Sequence, residues 1–168
     1  PALAGVFAVS LGAGLFWWLA VPGAAIFFVV SFGLLGQWIR RYGIRRLLSD
    51  GAAASLLAAL LGLLLNLMAG VAHAANLLAA RPAIAAWALG FLLPLVTGAL
   101  TQLLPVWRWP GPVIPARALM REQLAMSGVW RAAFFFLGGL ALLAGLPVVG
   151  GVFAGLAIGL FAFGLAQA

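Results

Sequence analysis

The residues that could do chemistry are few. His73 is the single histidine, Asn66 lies seven residues before it, and Asn76 follows three after. On a helix, His73 and Asn66 share a face and Asn76 is turned about 60° away. All three fall in or beside an apolar run, where polar groups are costly and face protein or a cavity rather than lipid. One histidine supplies at most one axial ligand, too few for a bis-histidine haem or a three-ligand zinc or copper site. His73 is read first as an inter-helix hydrogen-bonding residue. A single axial haem ligand and a proton relay stay open for it.

A second polar set lies in the next apolar run. Gly90, Pro94, Thr97 and Thr101 follow one another at i, i+4, i+7 and i+11, which places them on one helical face. Such small and hydroxyl residues line helix–helix contacts in membranes, so this is expected to be a packing stripe. Pro94 lacks an N–H and deprives the Gly90 carbonyl of its donor, which predicts a kink. Asn66, His73, Asn76, Thr97 and Thr101 together form the candidate polar lining or inter-helix hydrogen bonds. The hydroxyls of Ser10, Ser31, Ser55, Thr97 and Thr101 have no obvious general base except His73, and both acids, Asp50 and Glu122, lie in connectors. Hydrolytic catalysis within the chain is not expected, no catalytic residue is assigned, and no buried carboxylate serves a proton-coupled carrier.

The elements that must position these residues are membrane-length. The chain has 168 residues, 67% hydrophobic and 7% charged, whereas soluble domains carry roughly 25% charged residues. An uncharged run such as Ala83–Trp107 covers a hydrocarbon core of about 30 Å, and in lipid a lone span must satisfy its own backbone as a helix. The expected fold is all-α, a single polytopic bundle of six transmembrane helices arranged as three hairpins. The spans are 2–20, 22–39, 52–79, 83–106, 129–146 and 148–166. Pro22–Gly23 is expected to be a tight turn, Leu146–Pro147 a hinge, and Ser49-Asp50-Gly51 a helix cap. Between the fourth and fifth spans, Ala116–Ser127 is read as a short interfacial helix or an irregular loop. Gly151, Gly155 and Gly159 make a small-xxx-small packing ridge for a neighbour in this chain or in a partner.

All nine basic residues are arginines, and the net charge is +7. Arg40, Arg41, Arg45 and Arg46 occupy the linker between spans two and three. Arg108, Arg117 and Arg121 lie in the linker between four and five, with Arg131 just beyond. Arg81 alone lies between three and four. Basic residues on alternate linkers match the positive-inside rule and place both termini of a six-span bundle in the cytoplasm. Nucleic acid is not an expected partner; the lipid bilayer is. The absence of cysteine excludes disulfides and thiolate sites. The chain opens on Pro1 and closes just after an apolar run, so a processed protein or a piece of a longer one is expected; no signal peptide is recognised.

Gly90-Phe91, Gly98-Ala99-Leu100, Leu103-Leu104-Pro105-Val106 and Gly111-Pro112, followed by Arg117, Arg121, Leu124 and Arg131, carry a resemblance. Over about Gly90–Gly145 the chain resembles a group of bacterial multi-spanning proteins related to the heme-copper oxidase large subunit, some of which accompany copper oxidases or nitrite reductases. That family binds haem and copper through several intramembrane histidines, and here only His73 loosely matches. The resemblance therefore implies a scaffold or anchor domain of a redox or respiratory assembly, without a complete cofactor site. Its implied partners are other membrane subunits or a metalloprotein domain, and haem would need ligands from outside this chain. Two other functions stay in view. One is a transporter or channel segment with a polar pathway at Asn66, His73, Thr97 and Thr101. The other is a haem-binding electron carrier.

Overall fold

The computed structural model describes residues 17–74, 77–78, 80–112 and 114–168, without the side chains of residues 17–20, 74 and 80. Every regular element among them is helical. In chain order these are α1 (Trp17–Tyr42), the short α2 (Ile44–Ser49), α3 (Gly51–Ala74), α4 (Ala80–Trp87), a π-helical turn (Ala88–Leu92), α5 (Leu93–Arg108), α6 (Pro115–Met126), α7 (Gly128–Leu143) and α8 (Pro147–Gln167). Among the described residues five stretches are apolar and long enough to cross a membrane: Val21–Tyr42, Gly51–His73, Arg81–Arg108, Pro115–Leu143 and Pro147–Gln167.

The boundaries follow local chemistry. Gly43, at φ 76°, separates α1 from α2. Asp50 caps α3 as its sequence suggests, with Oδ1 accepting from the Ala52 and Ala53 amides at 2.9 and 3.0 Å. Ile114 is extended before Pro115, as a residue preceding proline prefers, and Pro115 opens α6. The connector helix therefore forms. Leu124 and Met120 point inward, while Leu119, Arg121 and Glu122 are exposed. At the last hinge Gly145 takes φ 75° and Pro147 begins α8.

Several expected boundaries move. Residues 1–16, most of the expected first span, lie outside the described residues. The tight turn at Pro22–Gly23 is replaced by helix: α1 runs unbroken from Trp17 through Pro22. In apolar surroundings a turn would strand several backbone groups, whereas a continuous helix forfeits chiefly the bond to the Trp18 carbonyl. The third span stops at Ala74 rather than Ala79. The fourth is longer than expected, and its proline distortion is a widened turn rather than a simple kink. Leu93 donates its N–H to the Ala88 carbonyl, five residues back, just ahead of Pro94.

The bundle is built around α3 and α7. Leu35 of α1 packs on Leu57 and Leu60 of α3. Ala54 and Ala58 of α3 meet Ala132 of α7. Leu89, Phe135 and Ala157 join the π turn, α7 and α8. Glycines set the separations. A Cβ on Gly62 would collide with the Gly90 carbonyl, and one on Gly139 would come within 3.0 Å of the Gly90 Cα. Gly51 and Gly128 meet backbone to backbone, and a Cβ on Gly98 would lie 2.7 Å from Ser55 Cβ. Gly51, Ser55, Ala58, Gly62 and Ala69 thus form a buried stripe along α3. Its helical spacing was open to view in the sequence.

These contacts order the ends. The start of α3, the α6–α7 junction and the C-terminal part of α8 lie at one end, since Gly51 meets Gly128 and Gly164 approaches Gln123 and Leu124. The linkers bearing Arg40–Arg46 and Arg108–Arg121 therefore share an end, called the basic end below. Arg81 and the α7–α8 hinge lie at the other. Large apolar side chains face outward, among them Val29, Phe32, Val148, Val152 and Phe163, far more exposed apolar surface than a soluble monomer carries.

Gly62→Ala is expected to destabilise the bundle by up to about 2 kcal/mol, because overpacking strain of about 1–3 kcal/mol, toward its upper end against a backbone carbonyl, exceeds the gain of about 1 kcal/mol in helix propensity. Gly70→Ala, with nothing within 4 Å of its added Cβ among the described residues, serves as the neutral or slightly stabilised control. Thermal unfolding in detergent, followed by circular dichroism, reads both.

Candidate functional site

The polar residues singled out in the sequence fall into two separate places. The first is at the end opposite the basic linkers. His73 lies in the last turn of α3 and is exposed. Its Nδ1 is 2.7 Å from the Leu78 carbonyl oxygen. A carbonyl only accepts, so Nδ1 carries the proton in the neutral ring and Nε2 presents its lone pair. Asn66 Nδ2 donates to the Gly62 carbonyl of its own helix at 2.7 Å. Asn66, Gly70 and His73 face Ala83, Ile84 and Trp87 across an open cleft of about 360 Å³. Asn76 lies outside the described residues. As a haem or copper site this cleft does not fit, because its other lining residues offer no metal-ligating imidazole, thiol or thioether.

The second place is buried near the basic end. The face carrying Gly90, Pro94, Thr97 and Thr101 is buried throughout. Thr97 Oγ1 donates to the Leu93 carbonyl at 2.8 Å, within its own helix. Thr101 Oγ1 donates to the Thr97 carbonyl at 2.9 Å and accepts from Arg131 Nη2 at 3.1 Å. Of the residues named from sequence, Thr101 makes a hydrogen bond that crosses between helices.

Arg131 escaped notice as a site residue, being read with the connector arginines. It is wholly buried in the first turn of α7. Nη1 donates to the Leu124 carbonyl at 3.3 Å, and the guanidinium carbon stands 5.1 Å from the Phe161 ring centre. The residue thus ties α5, α6 and α8 to α7. No carboxylate pairs with it among the described residues, and its Nε has no partner there. Two neutral acceptors and an aromatic face stand in for a counter-ion. The available signal was an arginine enclosed by Val129-Trp130 and Ala132-Ala133-Phe134, since ionisable residues inside an apolar span face protein.

Gly151, Gly155 and Gly159 are exposed on α8, and a Cβ on any of them would meet nothing within 4 Å among the described residues. In α8 it is Gly150 and Gly164 that are buried, against Leu142 and beside Leu124. The connector arginines remain at the surface. Arg108 lies over the Trp109 ring at 5.8 Å, Arg41 over Tyr42 at 5.6 Å, and Arg117 Nη1 donates to the Gly111 carbonyl at 3.1 Å.

Among the described residues, fold and sites together define a helical bundle with five apolar stretches long enough to cross a membrane and with the Arg40–Arg46 and Arg108–Arg121 connectors at one end. Comparison with family models, curated proteins and solved structures finds no match to the chain.

Thr101→Val is expected to cost about 1–3 kcal/mol, because it leaves a buried charged donor without one of its two acceptors. Arg131→Met removes the charge along with the demand for partners and is expected to be close to neutral or stabilising. In the Arg131→Met background Thr101→Val should then cost little. A double-mutant cycle on thermal stability in detergent measures the coupling.

Proposed function

We propose that this chain is an integral membrane scaffold or anchor domain, working by helix packing and without a complete cofactor site of its own. The observation that carries the reading is the separation of its polar residues. Asn66 and His73 line a lateral cleft at one end, Thr97 and Thr101 are turned into the packed interior, and the Gly62–Gly90–Gly139 crossing closes the bundle between them. A transporter needs polar groups converging on one pathway near the middle of the bilayer. Here the backbone is in contact at that level, which favours a rigid support over a conduit.

The assignment to a bacterial redox or respiratory assembly rests on the resemblance over Gly90–Gly145. The bacterial inner membrane is the proposed location. The basic end, with the C-terminus beside it, faces the cytoplasm under the positive-inside rule. The sixth crossing expected over residues 2–20 overlaps α1, which already takes up Trp17–Ala20, so only a crossing ahead of Trp17 would return the N-terminus to the same side and complete three hairpins. A reporter fused ahead of Pro1 reads cytoplasmic for six crossings and extracytoplasmic for five.

Purification of the tagged chain from native membranes in mild detergent is expected to bring down a metalloprotein subunit, with no haem absorbance from the chain alone. Proteoliposomes are expected to show no solute flux sensitive to Asn66→Leu or His73→Leu. Flux lost in those variants would favour the transporter, and a Soret band abolished by His73→Ala would favour an electron carrier.

A further inference from the structure

At the basic end a cleft of about 370 Å³ opens between α1, α2 and the start of α3, within the size range of small-molecule sites. Trp38 and Tyr42 of α1, Leu47 of α2, and Ala53 and Leu56 of α3 supply its apolar lining. Arg46 and Asp50 stand at the polar side. The two charged residues are four apart in sequence, yet no ion pair joins them among the described residues. Asp50 is held in place by its cap, with Oδ1 occupied by two amides and Oδ2 left to accept. Leu47 is buried, and Leu56, 39% exposed, leads from the cleft onto the outer apolar surface. Tryptophan and tyrosine favour the headgroup level of a bilayer, and arginine there reaches phosphates.

We infer that this cleft binds a phospholipid whose headgroup carries both a phosphate and a primary ammonium, of the phosphoethanolamine class. The inference rests on the membrane reading above. Arg46 offers guanidinium donors to the phosphate, and Asp50 offers a fixed carboxylate to the ammonium. The acyl chains run down the Leu47–Leu56 side. Charge complementarity decides among headgroups. A glycerol headgroup satisfies Arg46 but brings an anion beside Asp50 with no cation to offset it. A choline headgroup presents a positive charge without N–H donors, so Asp50 gains no hydrogen bond. Phosphoethanolamine meets both charges.

The test is native mass spectrometry of the full chain released from vesicles of equal parts phosphatidylethanolamine, phosphatidylglycerol and phosphatidylcholine. Retained phosphatidylethanolamine should exceed each of the others about tenfold, the ratio that one extra charge-assisted hydrogen bond supplies. Asp50→Asn keeps a side-chain oxygen for the cap but loses the charge. It should erase the preference over phosphatidylcholine while α-helical content by circular dichroism stays unchanged. Arg46→Gln should lower retention of all three. Equal retention of phosphatidylglycerol by the wild type, an undiminished preference in Asp50→Asn, or no retained lipid each overturns the inference. Recovery of the same chain in carbonate-washed membranes is scored alongside. A chain that stays in the membrane but shows no headgroup preference sinks the lipid site alone, whereas a chain stripped by carbonate sinks the membrane reading.

Discussion

The bundle depends on backbone meeting backbone at Gly62, Gly90 and Gly139. Helices normally stand about 8–10 Å apart because side chains intervene. Where three elements converge without them, the separation is set by main-chain atoms, and dispersion contacts accumulate along the flanking stripes. The Gly90 carbonyl, left without an i+4 donor by Pro94, is the atom a side chain on Gly62 would strike. The proline and the glycine facing it are therefore one device: the first widens the turn and the second makes room for its carbonyl. With α3, the π turn and α7 locked at that level, α1 and α8 need only lay one face against the frame. Their remaining large apolar side chains face outward.

The interior arginine follows from the same frame. Arg131 is sealed where α5, α6, α7 and α8 come together, and its donors find a hydroxyl, a main-chain carbonyl and a ring. Such a group adds little net stability and penalises arrangements in which its partners are out of place. α6 cannot lift from α7 without withdrawing the Leu124 carbonyl from it, and α8 cannot slide without removing Phe161. The arginine thereby fixes the register of the basic end, where the connectors and the cleft lined by Arg46 and Asp50 are found.

Much of this was legible from residue types and spacing. Helical, membrane-length segments followed from uncharged runs. The buried face of Gly90, Pro94, Thr97 and Thr101 followed from its 3.6-residue period, and the shared end of the two arginine-rich linkers from their alternation. The break expected at Pro22 was not found, because proline and glycine in an apolar helix do not mark a turn as they do in water. The span of α3 was overestimated because alanine and leucine continue past the point where the backbone turns. Arg131 was missed because it sits three residues from a connector, and charge alone does not say which way a side chain points. The outward face of Gly151, Gly155 and Gly159 was beyond reach for a further reason: α8 is small or apolar on nearly every side, so no wheel distinguishes its packed face.

The widened turn at Ala88–Leu92 has one more effect. Successive residues of an α-helix advance by about 100°, so a turn holding one extra residue offsets the angular phase of everything after it by about that amount. α4 and α5 therefore behave as two rods of independent azimuth on one axis. Ile84 and Trp87 are aimed at the α3 cleft, while Thr101 is aimed at Arg131. Removing a single residue from Ala88–Leu92 would take out the extra residue, leave the kink at Pro94, and swing one set out of alignment with the other. The lateral cleft and the arginine lock are geared together through five residues, Ala88–Leu92, that bear no charge.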